Sequence, residues 1–179
     1  ASFALGTLSL FDAVKTREGS LLKRVTYIAS ASGGTITNAC YALHTKQGGA
    51  FSKFYSELRG FMQGTALLEK ALTLLNDDKA WQHHPKHRNL INAFARVYDT
   101  VIYKEARLGA LEPTQGASTH LQEVCFNATE FYSGLPFRQQ AKMQMDGKAD
   151  MHFFYGNFKV HQKGIAPAKF KLADILAAS

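Results

Sequence analysis

Apolar residues open the chain at Phe3, Ala4, Leu5, Leu8, Leu10 and Phe11, spacings that predict a helix over 1–13 packed closely on its neighbours. A short linker, Thr16–Ser20, follows with Gly19 and two charges. Val25-Thr26-Tyr27-Ile28-Ala29 is then β-branched and aromatic, with the length of a buried strand. It ends in Ser30-Ala31-Ser32-Gly33-Gly34. Beyond these small residues Thr35-Ile36-Thr37-Asn38-Ala39-Cys40-Tyr41-Ala42-Leu43 meets no turn signal before Gln47-Gly48-Gly49, so a helix is expected to begin at or just after Ser32. The local pattern is strand, tight glycine turn, helix.

Residues 50–110 contain no strand pattern. Phe51, Phe54, Tyr55, Leu58, Phe61 and Met62 mark one helical face, and Thr65–Asn76 and Arg88–Arg107 repeat the periodicity on either side of the polar stretch Asn76–His87. A helical insertion is expected there. Its His83-His84-Pro85-Lys86-His87 run offers no i,i+4 histidine pair and no adjacent carboxylate or thiol, so an exposed loop is expected and no metal. From Leu121 the period shortens. Leu121–Thr129 and Leu135–Gln140 read as strands joined by a turn at Ser133-Gly134, Met151–Val160 as one or two more, and Lys169–Ser179 as helical or irregular. No repeat is visible.

With 179 residues, 46% hydrophobic and 20% charged, the chain suits a single domain, 1–179, with a sizeable core. Two cysteines, Cys40 and Cys125, lie too far apart for a zinc ribbon or a disulfide framework, and both are expected as buried thiols. No stretch reaches about 18 unbroken apolar residues, and the first residues lack the flanks of a signal peptide, an expectation that fits a cytoplasmic or membrane-peripheral chain. The net charge of +7 is spread along the chain with no basic arm. It allows contact with an anionic membrane surface and argues against a dedicated nucleic-acid groove.

The chemistry concentrates at Ser32. A serine on a sharp turn between strand and helix exposes its hydroxyl, and the next amide is free because helix N-termini leave their first N–H groups unpaired. Gly33 can take the strained backbone of such an elbow, and Gly34 lets the helix lie close to the strand. The text is S-x-S-x-G, with Ser30 small enough for the first glycine's place if its φ is negative. On these residues alone a nucleophile elbow, a phosphate-cradling turn and a plain connection all stand open.

The stretch Tyr27–Thr35 (Y-I-A-S-A-S-G-G-T) resembles the nucleophile elbow of the patatin-like phospholipase family. Cys125–Arg138 (C-F-N-A-T-E-F-Y-S-G-L-P-F-R) is similar to the family's strand pair beyond its insertion, and Leu172–Ser179 resembles the start of its A-S-S…P segment. Three resemblances in family order imply a three-layer α/β/α sandwich around a mostly parallel sheet. They imply lipid acyl-ester hydrolysis by a Ser–Asp dyad on phospholipid or acylglycerol substrates, without cofactor or metal. Carried over residue by residue, Ser32 is the nucleophile and the Gly33 amide an oxyanion donor. The family's glycine-rich oxyanion loop precedes the segment that Ala1–Gly6 resembles, and its Asp-Gly pair follows the segment in which Ser179 lies. The resemblance therefore implies a domain incomplete at both ends, with little or no hydrolysis by this chain alone.

Asp146-Gly147 is an Asp-Gly pair without a preceding buried strand, and an exposed turn is expected there; Asp150 is not expected at the site, and Asp174 is expected to cap or pair at a helix surface. His44, His120, His152 and His161 are assigned no role. The insertion's stripe of Phe51, Phe54, Tyr55, Leu58, Phe61, Leu67 and Leu68 reads as core, or as a lid over the elbow. A function of another class stays in view, a non-catalytic module in which Ser30–Thr35 cradles a phosphate or lipid headgroup. An inactive fragment pairing through its sheet edges is a third.

Overall fold

The protein, seen in a computed structural model, is described at residues 1–64, 66–114, 116, 119–144, 153–157 and 166–179. Helix α1 (Ser2–Ala13) buries Leu5 and Leu8, and the expected linker after it forms a small hairpin, β1 (Lys15–Thr16) with β2 (Gly19–Ser20). Gly19 turns it with φ 113°, a conformation open to glycine. A 3₁₀ turn at Leu21–Arg24 then plugs Leu22 into the core.

The following strand, β3, is Tyr27–Ala31, two residues later than the apolar run suggested. Val25 closes the preceding turn through its N–H to Leu22, and the Thr26 carbonyl accepts from the Gln122 amide at 2.7 Å. Nor is β3 buried on both faces. Only Ile28 is fully inside, whereas Tyr27, Ala29 and Ala31 are exposed on the face turned away from the core; among the described residues β3 is an edge strand of the sheet. Helix α2 (Gly33–Lys46) follows at once, as the glycine turn required.

The helical insertion consists of α3 (Phe51–Gly64), α4 (Leu67–Asn76), the single turn α5 (Asp78–Trp81) and α6 (Leu90–Tyr98). Phe54 and Leu58 are buried, and Phe51, Tyr55 and Phe61 pack against the same core, whereas Leu68 is exposed. The helix expected to reach Arg107 stops at Tyr98. A π-helical turn, Asp99–Tyr103, replaces its end, and Lys104 and Glu105 both take left-handed φ values of 47° and 64°. Periodicity cannot announce this, since one extra residue in the turn leaves the apolar spacing nearly unchanged. The His83–His87 stretch is loop, with His84 edge-on to Trp81 and its Nδ1 accepting from the Lys86 amide.

The sheet orders β3, β4 (Glu123–Thr129), β5 (Pro136–Lys142) and β6 (Phe153–Gly156). β3 and β4 run parallel with Ala31 opposite Asn127, while β4–β5 and β5–β6 are antiparallel. The sheet is therefore mixed, not mostly parallel: the short turn between Thr129 and Pro136 can join only antiparallel strands. The expected strand over Met151–Val160 is seen at Phe153–Gly156, and its other residues lie outside the described ones.

One face of the sheet, carrying Ile28, Val124, Phe126 and Ala141, packs with residues of α1, α2, α3 and α7 (Leu172–Ala178) in the main core. A second core of Ala71, Trp81, Ala93 and Val97 holds α4, α5 and α6 together. The mixed α/β architecture thus has two hydrophobic centres, and α2 descends from the sheet's edge into the larger one.

Candidate active site

Ser32 stands between β3 and α2 with φ 51° and ψ −134°, a backbone that side chains avoid and that costs about 1–3 kcal/mol. The strain expected at Gly33 falls on the serine itself. The reason is geometric: α2 begins at Gly33, whose φ must already be helical, so the reversal of direction is completed one residue earlier. Ser30 has no positive φ, as its place in the elbow required. Ser32 is exposed, and its hydroxyl has no hydrogen-bond partner among the described residues.

The small size of Gly34 is not demanded by the strand, since a Cβ there would meet Ser30 Cβ at an ordinary 3.6 Å. Gly33 is the tighter position, where a Cβ would come within 3.0 Å of the Ala1 nitrogen at the start of α1. Its amide points from the first turn of a 14-residue helix and has no acceptor among the described residues. The helix dipole adds positive potential there.

What holds the elbow comes from two distant stretches, β4 and the end of α7, joined to its own neighbours. The Ser32 amide donates to Ser179 Oγ at 2.9 Å, and Ser179 Oγ donates to the Asn127 carbonyl at 2.5 Å. Buried Thr35 places its hydroxyl 2.9 Å from Ser179 Oγ and 3.2 Å from Ser30 Oγ, and Asn127 Nδ2 donates to the Ser30 carbonyl at 3.1 Å. Residues of β3, β4, α2 and the end of α7 are thereby tied into one polar knot. In the sequence Thr35, Asn127 and Ser179 stand out only as members of longer stretches, with no role of their own. No local signal marks them, because they meet across chain separations of 52 to 147 residues.

No carboxylate or imidazole is hydrogen-bonded to Ser32 among the described residues. Asp174, on the first turn of α7, pairs with Lys86, as a surface carboxylate was expected to do. Asp146, Gly147, Asp150, His152 and His161 lie outside the described residues. His44 Nε2 donates to the Ala50 carbonyl at 2.9 Å and braces the α2–α3 turn. His120 is structural: Nδ1–H donates to the Val25 carbonyl at 2.7 Å, which leaves Nε2 to accept from the Tyr41 hydroxyl at 2.8 Å. Burial holds its pKa below the ordinary histidine value.

A cavity of about 720 Å³ opens between α2, α3 and the π turn, lined in part by Cys40, Leu43, Phe54, Phe61, Ile102 and Lys104. Its first α2 residue, Cys40, is eight residues beyond Ser32, about 12 Å along the helix. Burial pushes the Cys40 thiol up to about 12, so it is no nucleophile at neutral pH. Cys125 is buried in β4, its thiol likewise raised by burial, and both cysteines are free. Among the described residues no group of histidines, cysteines and carboxylates could hold a metal ion.

No protein-family model matches the chain, and neither a curated protein nor a solved structure matches it.

Proposed function

We propose that this chain carries the nucleophile of a patatin-like serine acyl hydrolase acting on phospholipids or other acylglycerol esters. The observation that carries the reading is the backbone of Ser32: an exposed serine, strained at φ 51°, between a strand and a helix, with the free amide of Gly33 beside it. Strain of this kind persists only where its surroundings enforce it, and here it aims a hydroxyl away from the core. In the reaction Ser32 Oγ attacks the ester carbonyl and passes its proton to a base. The Gly33 N–H receives the developing oxyanion, the alcohol leaves, and water releases the acyl group. In the family that the elbow resembles, an aspartate is that base.

The three-layer sandwich belongs to the same reading. Helices cover the face of the sheet that bears Ile28, Val124 and Phe126, while Tyr27, Ala29 and Ala31 stand exposed on the opposite face, where the third layer would rest.

A fluorophosphonate reagent tests the proposal. Intact-mass measurement of the protein with the family's aspartate-bearing segment joined to it is expected to show one adduct, lost in Ser32→Ala. Absence of an adduct, with amide shifts at Gly33 and Gly34 on adding inorganic phosphate, would replace the hydrolase with the anion-binding module.

A further inference from the structure

The three most exposed large apolar side chains among the described residues are Tyr132 at 96%, Phe131 at 92% and Phe3 at 89%. All three stand at the end of the sheet where Ser32 stands. Ala31 pairs with Asn127 in the parallel register, so the turn after Thr129 projects past the same end of the sheet as the elbow. Phe3 lies in the first turn of α1, whose start is fastened to the first turns of α2 by the Thr37 hydroxyl donating to the Ala1 carbonyl at 2.9 Å.

The turn that carries Phe131 and Tyr132 is built to leave water. Glu130 gathers it: its carboxylate accepts from the amides of Tyr132 at 2.9 Å and Ser133 at 2.8 Å, and from the Ser133 hydroxyl. The Gly134 amide donates to the Glu130 carbonyl, the Glu130 amide to the Leu135 carbonyl, and the Leu135 amide to Ser133 Oγ. Of the six amides from Glu130 to Leu135, all but that of Phe131 find acceptors inside the turn. Moving such a tip into a lipid headgroup region therefore leaves only the Phe131 amide without an acceptor, which lowers part of the cost that keeps ordinary loops out.

We propose that Phe131 and Tyr132, with Phe3 across the elbow, form an interfacial anchor that seats the Ser32 end of the molecule on a phospholipid bilayer. Phenylalanine and tyrosine suit the boundary between headgroups and acyl chains, the hydroxyl of Tyr132 staying at the wet level. Phe131 and Tyr132 pack edge to face at the tip of one turn, ring centroids 6.0 Å apart, while Phe3 stands on a separate element, so two distinct apolar tips can each sink into a soft surface. The chain's net charge of +7 adds attraction to anionic lipid. The purpose of the anchor rests on the acyl-hydrolase reading. The anchoring itself does not, so labelling of Ser32 and binding to vesicles fail independently.

The full chain is expected to cosediment with vesicles of phosphatidylcholine mixed with phosphatidylglycerol. A Phe131→Ser/Tyr132→Ser double variant should partition about tenfold more weakly or worse, and Phe3→Ser should weaken it further. These side chains are so exposed that the variants keep the fold, which circular dichroism checks. Tyr132→Trp places an indole at the tip, and its emission should move to the blue and be quenched by brominated lipid, against a constant background from the buried Trp81. Ser32→Ala should bind as the unaltered chain does. Equal partition of the double variant, or no partition of the unaltered chain, overturns the proposal. Self-association in the absence of lipid that disappears with the same double substitution assigns the rings to a protein contact and overturns it too.

Discussion

At Ser32 a side chain occupies a backbone that glycine would adopt more cheaply, and the polar knot of Ser179, Asn127 and Thr35 holds it there. Ser32→Gly should therefore be more stable than Ser32→Ala by about 1 kcal/mol, since relief of strain outweighs the extra chain entropy glycine loses on folding. Urea denaturation measures this, and coincident midpoints would mean that the backbone at the elbow is not strained. Ser179→Ala removes the hydroxyl that bonds the Asn127 carbonyl and receives the Ser32 amide. It should cost about 1 kcal/mol by the same assay and slow the labelling of Ser32, whose position it loosens. The serine itself was legible from its small neighbours and two glycines. Its supports were not, because a hydroxyl 147 residues away is brought to it only by the packing of α7.

At the scale of elements, His120 fastens α2 to the approach of β3 through Tyr41 and the Val25 carbonyl. Burial lowers its pKa, and nearby Lys23 lowers it further against the pull of the Val25 carbonyl. An unfolded imidazole takes up its proton as pH falls below about 6.5, before the native one does, so the unfolded state binds more protons in that window. The stability that His120 contributes is thus complete above about pH 6.5 and is lost as pH falls below it. Thermal melts from pH 7.5 to pH 5 should show a shallower decline in His120→Gln than in the unaltered chain. Parallel curves would remove His120 from the account. The ordinary helices were legible because Phe51, Phe54, Tyr55 and Leu58 repeat at helical spacing. The π turn at Asp99–Tyr103 was not, since it depends on packing and on Lys171, just before α7, pairing with Asp99.

In the whole molecule the two cores should come apart unequally. Phe126 is fully buried at the centre of the sheet, and Phe126→Ala should cost about 3–5 kcal/mol and lower the single global transition. Trp81, the chain's sole tryptophan, packs the smaller core, with Arg96 over its ring and its indole N–H on the Leu74 carbonyl. Trp81→Ala should loosen α4, α5 and α6 first, with hydrogen exchange accelerated there and β4 still protected. Uniform acceleration across the chain would mean that both cores unfold as one unit.

By itself the amino-acid sequence determined the local matter: the helical faces of α2 and α3, the strand pair around Ser133-Gly134, and the sharp turn that exposes Ser32. These follow from side-chain spacing and from the few residues that tolerate tight turns, both properties of short stretches. Tertiary structure alone decided that β3 is a half-exposed edge, that the sheet is mixed, and that strain rests on Ser32 instead of Gly33. It alone brought Ser179, Thr35 and Asn127 to the elbow and set Phe3, Phe131 and Tyr132 around it. Such facts depend on which stretches meet, and meeting is governed by burial and pairing across the whole chain, which no window of sequence contains.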